Sequence, residues 1–547
     1  MQPDSRNDYP SGNTASLWVG TYPVPDYPKL TRNRRCEVCV VGAGIAGLST
    51  AYMLAKGGRK VIVLDDGPIG GGESGRTTAH LTGAMDDRIY ELERMHGDYR
   101  TRLVVESHLA AVNRIEEIVR LEGIECDFER IDGFLFVGGD DRPAVLEREY
   151  DSAKRAGFAD VQLVDRAPIA SWSSGRTLRF PDQAQFHPLK YLAGLARAIE
   201  ANGGEIFCGT HVTSVEGGSP CTVATDAHKT VTADAVCVCT NGSITDMTHT
   251  HAKQAPYRTY VIAAVVPRGS VSKGLFWDTA SPYHYVRTQP LDEPVPGALK
   301  GDTLYDALIV GGEDHKTAHA NDAEERWRCL EQWMRLRWPQ AREVIYRWSG
   351  QCLEPNDSLA FIGRNPDDAE NVYMVSGDSG QGMTHGTIAG MLLTDLIVGR
   401  PNAWEELYDP KRVSLKPHPI EEFAKQNLDV AVQYLKERLT PSDVPTENDI
   451  ARGEGRVMRK GAHKVAVYRD ESGTLHYHSA ACTHLKCIVA WNSAEKSWDC
   501  GCHGSRFDAM GKVLNGPAVE NLAPYEESGE SKSRRIAEER EEPESRS

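Results

Sequence analysis

Glu37-Val-Cys-Val-Val-Gly42-Ala-Gly-Ile-Ala-Gly47 is the stretch from which the architecture of this chain is read. The apolar run before Gly42 suits a strand buried on both faces of a parallel sheet. Leu48, Ala51, Tyr52, Leu54 and Ala55 follow at helical spacing, and Val61-Ile-Val-Leu64 is a second strand ending in Asp65-Asp66. Strand, glycine turn, helix and strand make the βαβ unit that binds dinucleotides. Gly42 permits the tight turn. Gly44, with Ala43, Ile45 and Ala46 around it, brings backbone up to a pyrophosphate at the helix N-terminus, and Gly47 lets helix and strand pack closely. Asp65 lies 21 residues after Gly44, where an acid accepts ribose hydroxyls, and Asp66 stands beside it.

Gly70-Gly-Gly-Glu-Ser-Gly-Arg-Thr-Thr-Ala-His80 is a second Gly- and hydroxyl-rich segment just past that acid. On its residues alone it is also readable as a plain flexible loop. Its length and its place beside the pyrophosphate favour a cofactor held beyond its ribose. Far downstream, Asn371-Val-Tyr-Met-Val-Ser-Gly-Asp-Ser-Gly-Gln-Gly-Met-Thr384 runs from strand through a glycine turn into a helix. It opens another helix N-terminus toward an anion or carbonyl.

These segments resemble the FAD-dependent D-amino-acid oxidase/glycine oxidase superfamily, over residues 36–405. The resemblance implies an α/β, Rossmann-like FAD-binding domain with an inserted antiparallel substrate sheet. It implies Ser74, Thr77, Thr78, Ala79 and His80 along the FAD, Val212 near the adenine and the Asn241-Gly242 turn at the cofactor. Gly377, Gly380, Gly382, Met383 and Thr384 would then meet the isoalloxazine and ribityl chain. Some relatives attach FAD covalently through a His in the loop that holds His80; covalent and non-covalent binding both stay open here.

The rest of this region is consistent with that layout. Residues 86–122 read as helix, Gly133–Val137 as strand, Tyr191–Ala201 as helix, and Glu205–Cys208, Val212–Val215 and Ala235–Cys239 as strands. Residues 255–315 alternate with period two, which suggests an antiparallel sheet with one wet face. In the superfamily such a sheet roofs the flavin, which makes Tyr260, Tyr285, Arg287 and His315 the candidates for the substrate pocket. No catalytic base is identifiable.

The second organising stretch is Cys482-Thr-His-Leu-Lys-Cys487, followed after a spacer by Asp499-Cys-Gly-Cys-His-Gly-Ser505. Cys482 with His484 and Cys500 with His503 deliver two thiolates and two imidazoles, the ligand layout of a Rieske [2Fe–2S] centre. Structural zinc satisfies the same ligand count. Cys487 and Cys502, one in each loop, and Gly511-Lys-Val-Leu-Asn-Gly-Pro-Ala518 separate the two readings, because together they resemble the Rieske protein of the cytochrome bc1 and b6f complexes. The resemblance implies a Cys487–Cys502 disulfide tying the cluster loops together, with Pro517 in the loop that covers the cluster. Ring-hydroxylating oxygenases, whose Rieske domains lack the extra Cys pair, fit less well. Lys486 and Gly501 stand where the respiratory proteins more usually have Gly and Pro. Ser505 keeps one hydroxyl donor to a ligand sulfur, whereas Phe507 replaces a donating Tyr. Losing a hydrogen bond to sulfur lowers the potential, so it is expected within roughly −150 to +300 mV but below that of the respiratory proteins.

Composition sets the outer bounds. The chain has 547 residues, 40% apolar and 26% charged, enough for more than one domain. A net charge of −16 argues against a nucleic-acid partner. The most apolar run, Ile388–Val398, is far shorter than the ~20 residues of a span, and residues 1–35 read as a polar, irregular, solvated arm without a leader. The expected compartment is therefore the cytoplasm, with peripheral membrane attachment compatible. Thirteen scattered Cys, among them Cys237 and Cys239, read mostly as reduced, buried side chains. Residues 406–450 read as a helix (Ile420–Leu439) and linker, 451–525 as a small all-β Rieske domain, and 526–547 as a disordered charged tail. The functional expectation is an FAD-dependent dehydrogenase of amines or amino-acid-like substrates, with electrons leaving through the cluster to an external protein or quinone. The alternatives are an oxidase whose Rieske domain senses redox state or docks a partner, and the reductase component of an oxygenase.

Overall fold

The computed structural model describes residues 11–139, 141–245, 249–292, 304–367, 369–413 and 441–526. The fingerprint strand Arg34–Val41 lies inside an eight-stranded sheet. It pairs in parallel with Val61–Leu64 on one side and Thr230–Val238 on the other. Glu205–Phe207 and Val372–Ser376 extend the parallel set, and Phe361–Arg364 closes one edge antiparallel. Helices Ile45–Lys56, Pro188–Ala201, Gly382–Val398 and Asp98–Glu122 build the main core, to which the strands give Val38, Val40 and Val63. Their neighbours Cys39, Val41 and Ile62 point the other way, into a core shared with the hairpin Val212–Glu216/Cys221–Thr225. Burial on both faces explains the unbroken apolar run that opens the fingerprint. The helix expected over 86–122 is two helices, Ile89–His96 and Asp98–Glu122, broken at Gly97, whose φ of +80° stops the first.

The second sheet has nine strands. Gln254–Pro267, Leu275–Asp278, His284–Leu291 and Tyr305–Lys316 fall where the alternation places them. Glu129–Phe136, Thr177–Gln185 and Val344–Pro355 join from either side of that stretch, because period two marks a strand but not its partners. Helix Ala323–Arg337 covers one face of this sheet, with Trp327, Leu330 and Met334 against Tyr260, Ile262 and Val310.

The C-terminal unit is all β. Glu454–Lys460, His463–Arg469 and Leu475–Ser479 form one sheet, and four three-residue strands between Ala490 and Asn515 form another. It starts before residue 451: Asp443 N–H donates to Val457 O, its carboxylate accepts from Val457 N–H, and Ile450 is buried with Met458 and Val465. The helix expected at Ile420–Leu439 and nearly all of the expected tail lie outside the described residues.

The N-terminal arm differs from expectation. Helix Leu17–Thr21 puts Leu17 and Trp18 into the main core, fully buried, and Trp18 Nε1 donates to Thr77 O. Residues 11–14 run between the two units, where Ser11 O and Gly12 O accept from Arg506 and Arg76. A run without periodicity is thus buried through single large side chains and backbone carbonyls, which no periodic signal reports. Among the described residues no helix is long and apolar enough to cross a membrane.

Candidate active site: a cofactor cavity beside a cluster site

One cavity runs from the fingerprint turn to the second sheet. At its first end Gly42 takes φ +105° and donates its N–H to Leu64 O. A side chain at Gly42 or Gly47 would overlap backbone oxygens, of Cys239 and Gly42 respectively. A Cβ at Gly44 would stand 2.9 Å from Ser74 Oγ, which accepts from Ile45 N–H at 3.0 Å. Gly44 therefore leaves the helix N-terminus open to the cavity, with Ser74 beside it. Asp65 lines this end. Its carboxylate accepts from Ala43 N–H (2.5 Å) and Gly67 N–H (2.8 Å), so it also ties down the glycine turn. Asp66 accepts from His211 Nδ1 at 3.3 Å, and Val212 and Asn241 complete the end.

Along the middle lie Ser74, Thr77, Thr78 and His80. Burial, with Arg287 adding, pushes the His80 imidazole down to about 3, and its ring nitrogens meet Thr78 Oγ1 and Val286 O. Gly380, Gly382 and Met383 bring the N-terminus of Gly382–Val398 to the far end. Ala43, Gly47, Ala79, Gly242, Gly377 and Thr384 shape the walls without lining them. Thr384 Oγ1, for example, turns away to His108 Nδ1 at 2.8 Å. Two helix N-termini, glycine approaches at both ends and an acid at the nucleoside end suit an extended dinucleotide, so the residues present fit FAD.

The substrate-side candidates divide. Tyr285 lines the cavity. Tyr260 and His315 do not: they pair with each other (OH to Nε2, 2.9 Å) on the opposite face, under helix Ala323–Arg337. Alternation sends Thr259 and Asp314 into the cavity instead. Arg287 is fully buried behind the cavity, donating to Thr78 O, Ala79 O and Phe186 O and to Gln289. Asp86, Trp277, Tyr283 and Gln351 also line the cavity, and no local sequence signal marked them; Asp378, inside the second glycine turn, lines it too.

In the C-terminal unit, turns at the ends of short strands gather the four expected ligands. The Cys482 and Cys500 thiols are in contact, and this contact chiefly, with Ser505 adding, lowers Cys482. The His484 and His503 rings stand 5.1 Å apart and nearly perpendicular. His503 Nδ1 is buried without a hydrogen-bond partner among the described residues. Two adjacent sulfurs and two adjacent imidazoles fit a [2Fe–2S] cluster. The sulfurs of Cys487, Cys500 and Cys502 also lie within 4.8 Å of one another, but Cys487 and Cys502 are joined as a disulfide and offer no separate donor set. Ser505 Oγ accepts from Ala518 N–H beside Pro517, tying the covering loop to the ligand loop. Phe507 is fully buried in the core around the ligands. Lys486 takes φ +63°, a conformation more easily adopted by the Gly of the respiratory pattern. Gly501 has its own reason: a Cβ there would stand 2.9 Å from Thr317 O in the other unit.

The two sites are neighbours. Val513, Asn515, Gly516 and Val519 of the C-terminal unit line the cofactor cavity. Val519 O meets His211 Nε2 at 2.9 Å, and a Cβ on Gly242 would reach Gly516 C at 3.0 Å. Gln351, on the cavity wall, donates to Gly504 O, next to His503. The His251 ring lies edge-on to both His484 (5.0 Å) and His503 (5.8 Å), with its Nε2 at 3.0 Å from Ser243 O. Buried ion pairs hold the units together: Arg76–Glu495 (3.1 Å), Arg258–Asp499 (3.2 Å) and, within the C-terminal unit, Arg506–Asp499 (3.0 Å).

Comparison with known proteins agrees with this geometry. The family of FAD dependent oxidoreductases (DAO) matches residues 37–396, and the Rieske [2Fe–2S] domain family matches residues 440–526. The chain is 30% identical over 509 residues to YhfW of Bacillus subtilis (strain 168), described as a Rieske 2Fe-2S iron-sulfur protein, covering 93% of this chain and 96% of that one. It is 29% identical over 382 residues to gamma-glutamylputrescine oxidoreductase of Escherichia coli (strain K12), covering 68% of this chain and 86% of the relative. Glycine oxidase from Geobacillus kaustophilus shares the fold, with a TM-score of 0.56 at 17% identity, over 70% of this chain and all of that one. The chain therefore belongs to the DAO family of FAD-dependent oxidoreductases, with a Rieske [2Fe–2S] domain at its C-terminal end.

Proposed function

We propose that this protein is a dehydrogenase that oxidises an amine or amino-acid-like substrate at the FAD and passes the electrons through the Rieske cluster to an external acceptor. The observation that carries this reading is the shared wall. The cluster-covering segment lines the FAD cavity, while Gln351 and His251 reach from that side to the cluster-ligand loops. When bound, FAD supplies a two-electron hydride acceptor and the cluster a one-electron carrier. The chain's residues do the positioning. The two helix N-termini and Asp65 orient the cofactor, Trp277, Tyr283 and Tyr285 exclude water from its substrate side, and the interdomain ion pairs hold the two sites at short range. The relatives named for gamma-glutamylputrescine and glycine support a C–N bond as the point of oxidation. A built-in one-electron carrier favours a dehydrogenase over an oxidase, because it competes with O2.

The test is anaerobic addition of candidate amines and amino acids to the FAD- and cluster-loaded protein. Bleaching of the flavin followed by the EPR signal of a reduced Rieske cluster is the expected result. A bleached flavin beside an EPR-silent cluster would sink the relay.

A further inference from the structure

The cavity wall made by the second sheet and the turn at Asp86 is anionic and aromatic. Asp86 Oδ2 accepts from Tyr283 OH at 2.9 Å, the Tyr283 and Tyr285 rings are 5.4 Å apart, and Tyr285 OH meets Thr259 Oγ1 at 2.7 Å. The Asp314 carboxylate lines the cavity beside Thr259. Two carboxylates and two phenols thus line one stretch of the cavity, with Trp277 on the same wall. Asp314 Oδ1 is buried and has no hydrogen-bond partner among the described residues.

The nearby cations are committed elsewhere. Arg287 is taken up by three backbone carbonyls and Gln289. Arg88 donates to Asp278 O, Arg326 to Asp322 and Glu313 O, and His284 sits between Asp278 and Glu313. Among the described residues Arg76 alone brings a Lys or Arg to the cavity lining. Gly12 O, Thr14, Ser349 O and Glu495 hold its guanidinium.

We infer that the substrate end of this cavity takes an organic ammonium without a carboxylate beside the reacting carbon, an alkyl- or arylalkylamine and not an α-amino acid. Asp86 and Asp314 face its charge, and Trp277, Tyr283 and Tyr285 cover its hydrocarbon and add cation–π attraction. An α-amino acid would bring its carboxylate against these two acids with no free cation to receive it. Burial pushes Asp86 and Asp314 up, to about 6 and about 7, as fits carboxyls that lack a counter-charge until a cation arrives. The inference rests on the amine-oxidising reading above and narrows it to one substrate class.

The experiment uses the fully loaded protein and two inert probes with the same ring and opposite charge, benzyltrimethylammonium and benzoate. Each is titrated against the flavin absorbance. The expected result is a saturable shift with the cation, at an affinity about tenfold or more above that of benzoate. Asp314→Asn and Asp86→Asn should each weaken the cation by about tenfold while flavin and cluster stay bound, and Asp314→Glu should restore much of it. Benzoate binding as well as the cation, no shift with either probe, or variants that bind the cation like the parent would overturn the inference. If a variant does not fold, the two probes on the parent protein still decide. Since the readout needs neither turnover nor the cluster, an EPR-silent cluster would defeat the relay and leave this result standing, and the reverse also holds.

Discussion

Between the two units, Glu495 and Asp499 are buried against Arg76, Arg258 and Arg506; in the cavity, Asp86, Asp314 and Asp378 are half-buried on a wall that they share with Trp277, Tyr283 and Tyr285. The same functional group is in opposite electrostatic states. Burial pushes the Asp499 carboxyl up, but Arg506 and Arg258 outweigh it and hold it at about 2. Burial pushes Asp314 and Asp378 up to about 7 and Asp86 to about 6, and the hydrogen bonds they accept do not reverse that. Where every charge has a partner inside the fold, the cluster acts as a lock. Where half-buried carboxylates are left without one, the site is set up for a ligand, because a poorly solvated charge without a partner is costly to the folded chain.

The largest effect should come from breaking the lock. Asp499→Ala leaves Arg258 and Arg506 buried without their acid and should cost about 3–5 kcal/mol, read as a lower denaturant midpoint and faster hydrogen exchange at the interface. A loss below 1 kcal/mol, on the scale of exposed pairs, would mean that the lock is not built as described. The converse substitution sharpens the contrast. Asp314→Asn removes a charge with no counter-ion and should stabilise the FAD-free chain by about 1 kcal/mol. Destabilisation as large as that of Asp499→Ala would erase the distinction between the two clusters.

The pH profile of the FAD-free chain should carry both signs. An unfolded Asp titrates near about 3.9, above the folded value of Asp499, so the unfolded state holds more protons and stability rises with pH between about 2 and 4. The cavity acids have folded values above the unfolded one. From about pH 4 to 7 the folded state holds more protons, and their contribution makes stability fall as pH rises. Equilibrium unfolding from pH 2 to 8 tests this, and Asp314→Asn should flatten the upper limb only. An effect no larger than that of Asp314→Asn is expected at the seam. Gly501→Ala would press a methyl against Thr317 O, 2.9 Å away, and should weaken docking by about 1 kcal/mol with the cluster absorbance retained.

These contrasts were only partly legible in the chain. The glycine fingerprint and the Cys482/His484/Cys500/His503 set were readable because their requirements are local: a turn that only Gly relaxes, and donors two or three residues apart in a loop. Alternation also revealed the strands of the second sheet. It could not say which face looks into the cavity, so Tyr260 and His315 were candidates while Thr259 and Asp314, one position away, hold the wall. Asp86 and Asp314 read as ordinary polar positions, since burial beside other acids depends on partners far apart in sequence.

By itself, then, the sequence determined that the chain carries an FAD-binding and a Rieske [2Fe–2S] domain, and their order along it. The tertiary structure alone decided that they share a wall. Residues 11–14, Arg76, Arg258, Glu495 and Arg506 meet only when the arm and both units are packed together. The physical reason is range. Backbone geometry and loop ligation act over a few residues, whereas charge pairing in a buried interface joins side chains hundreds of residues apart, and no periodicity along the chain records it.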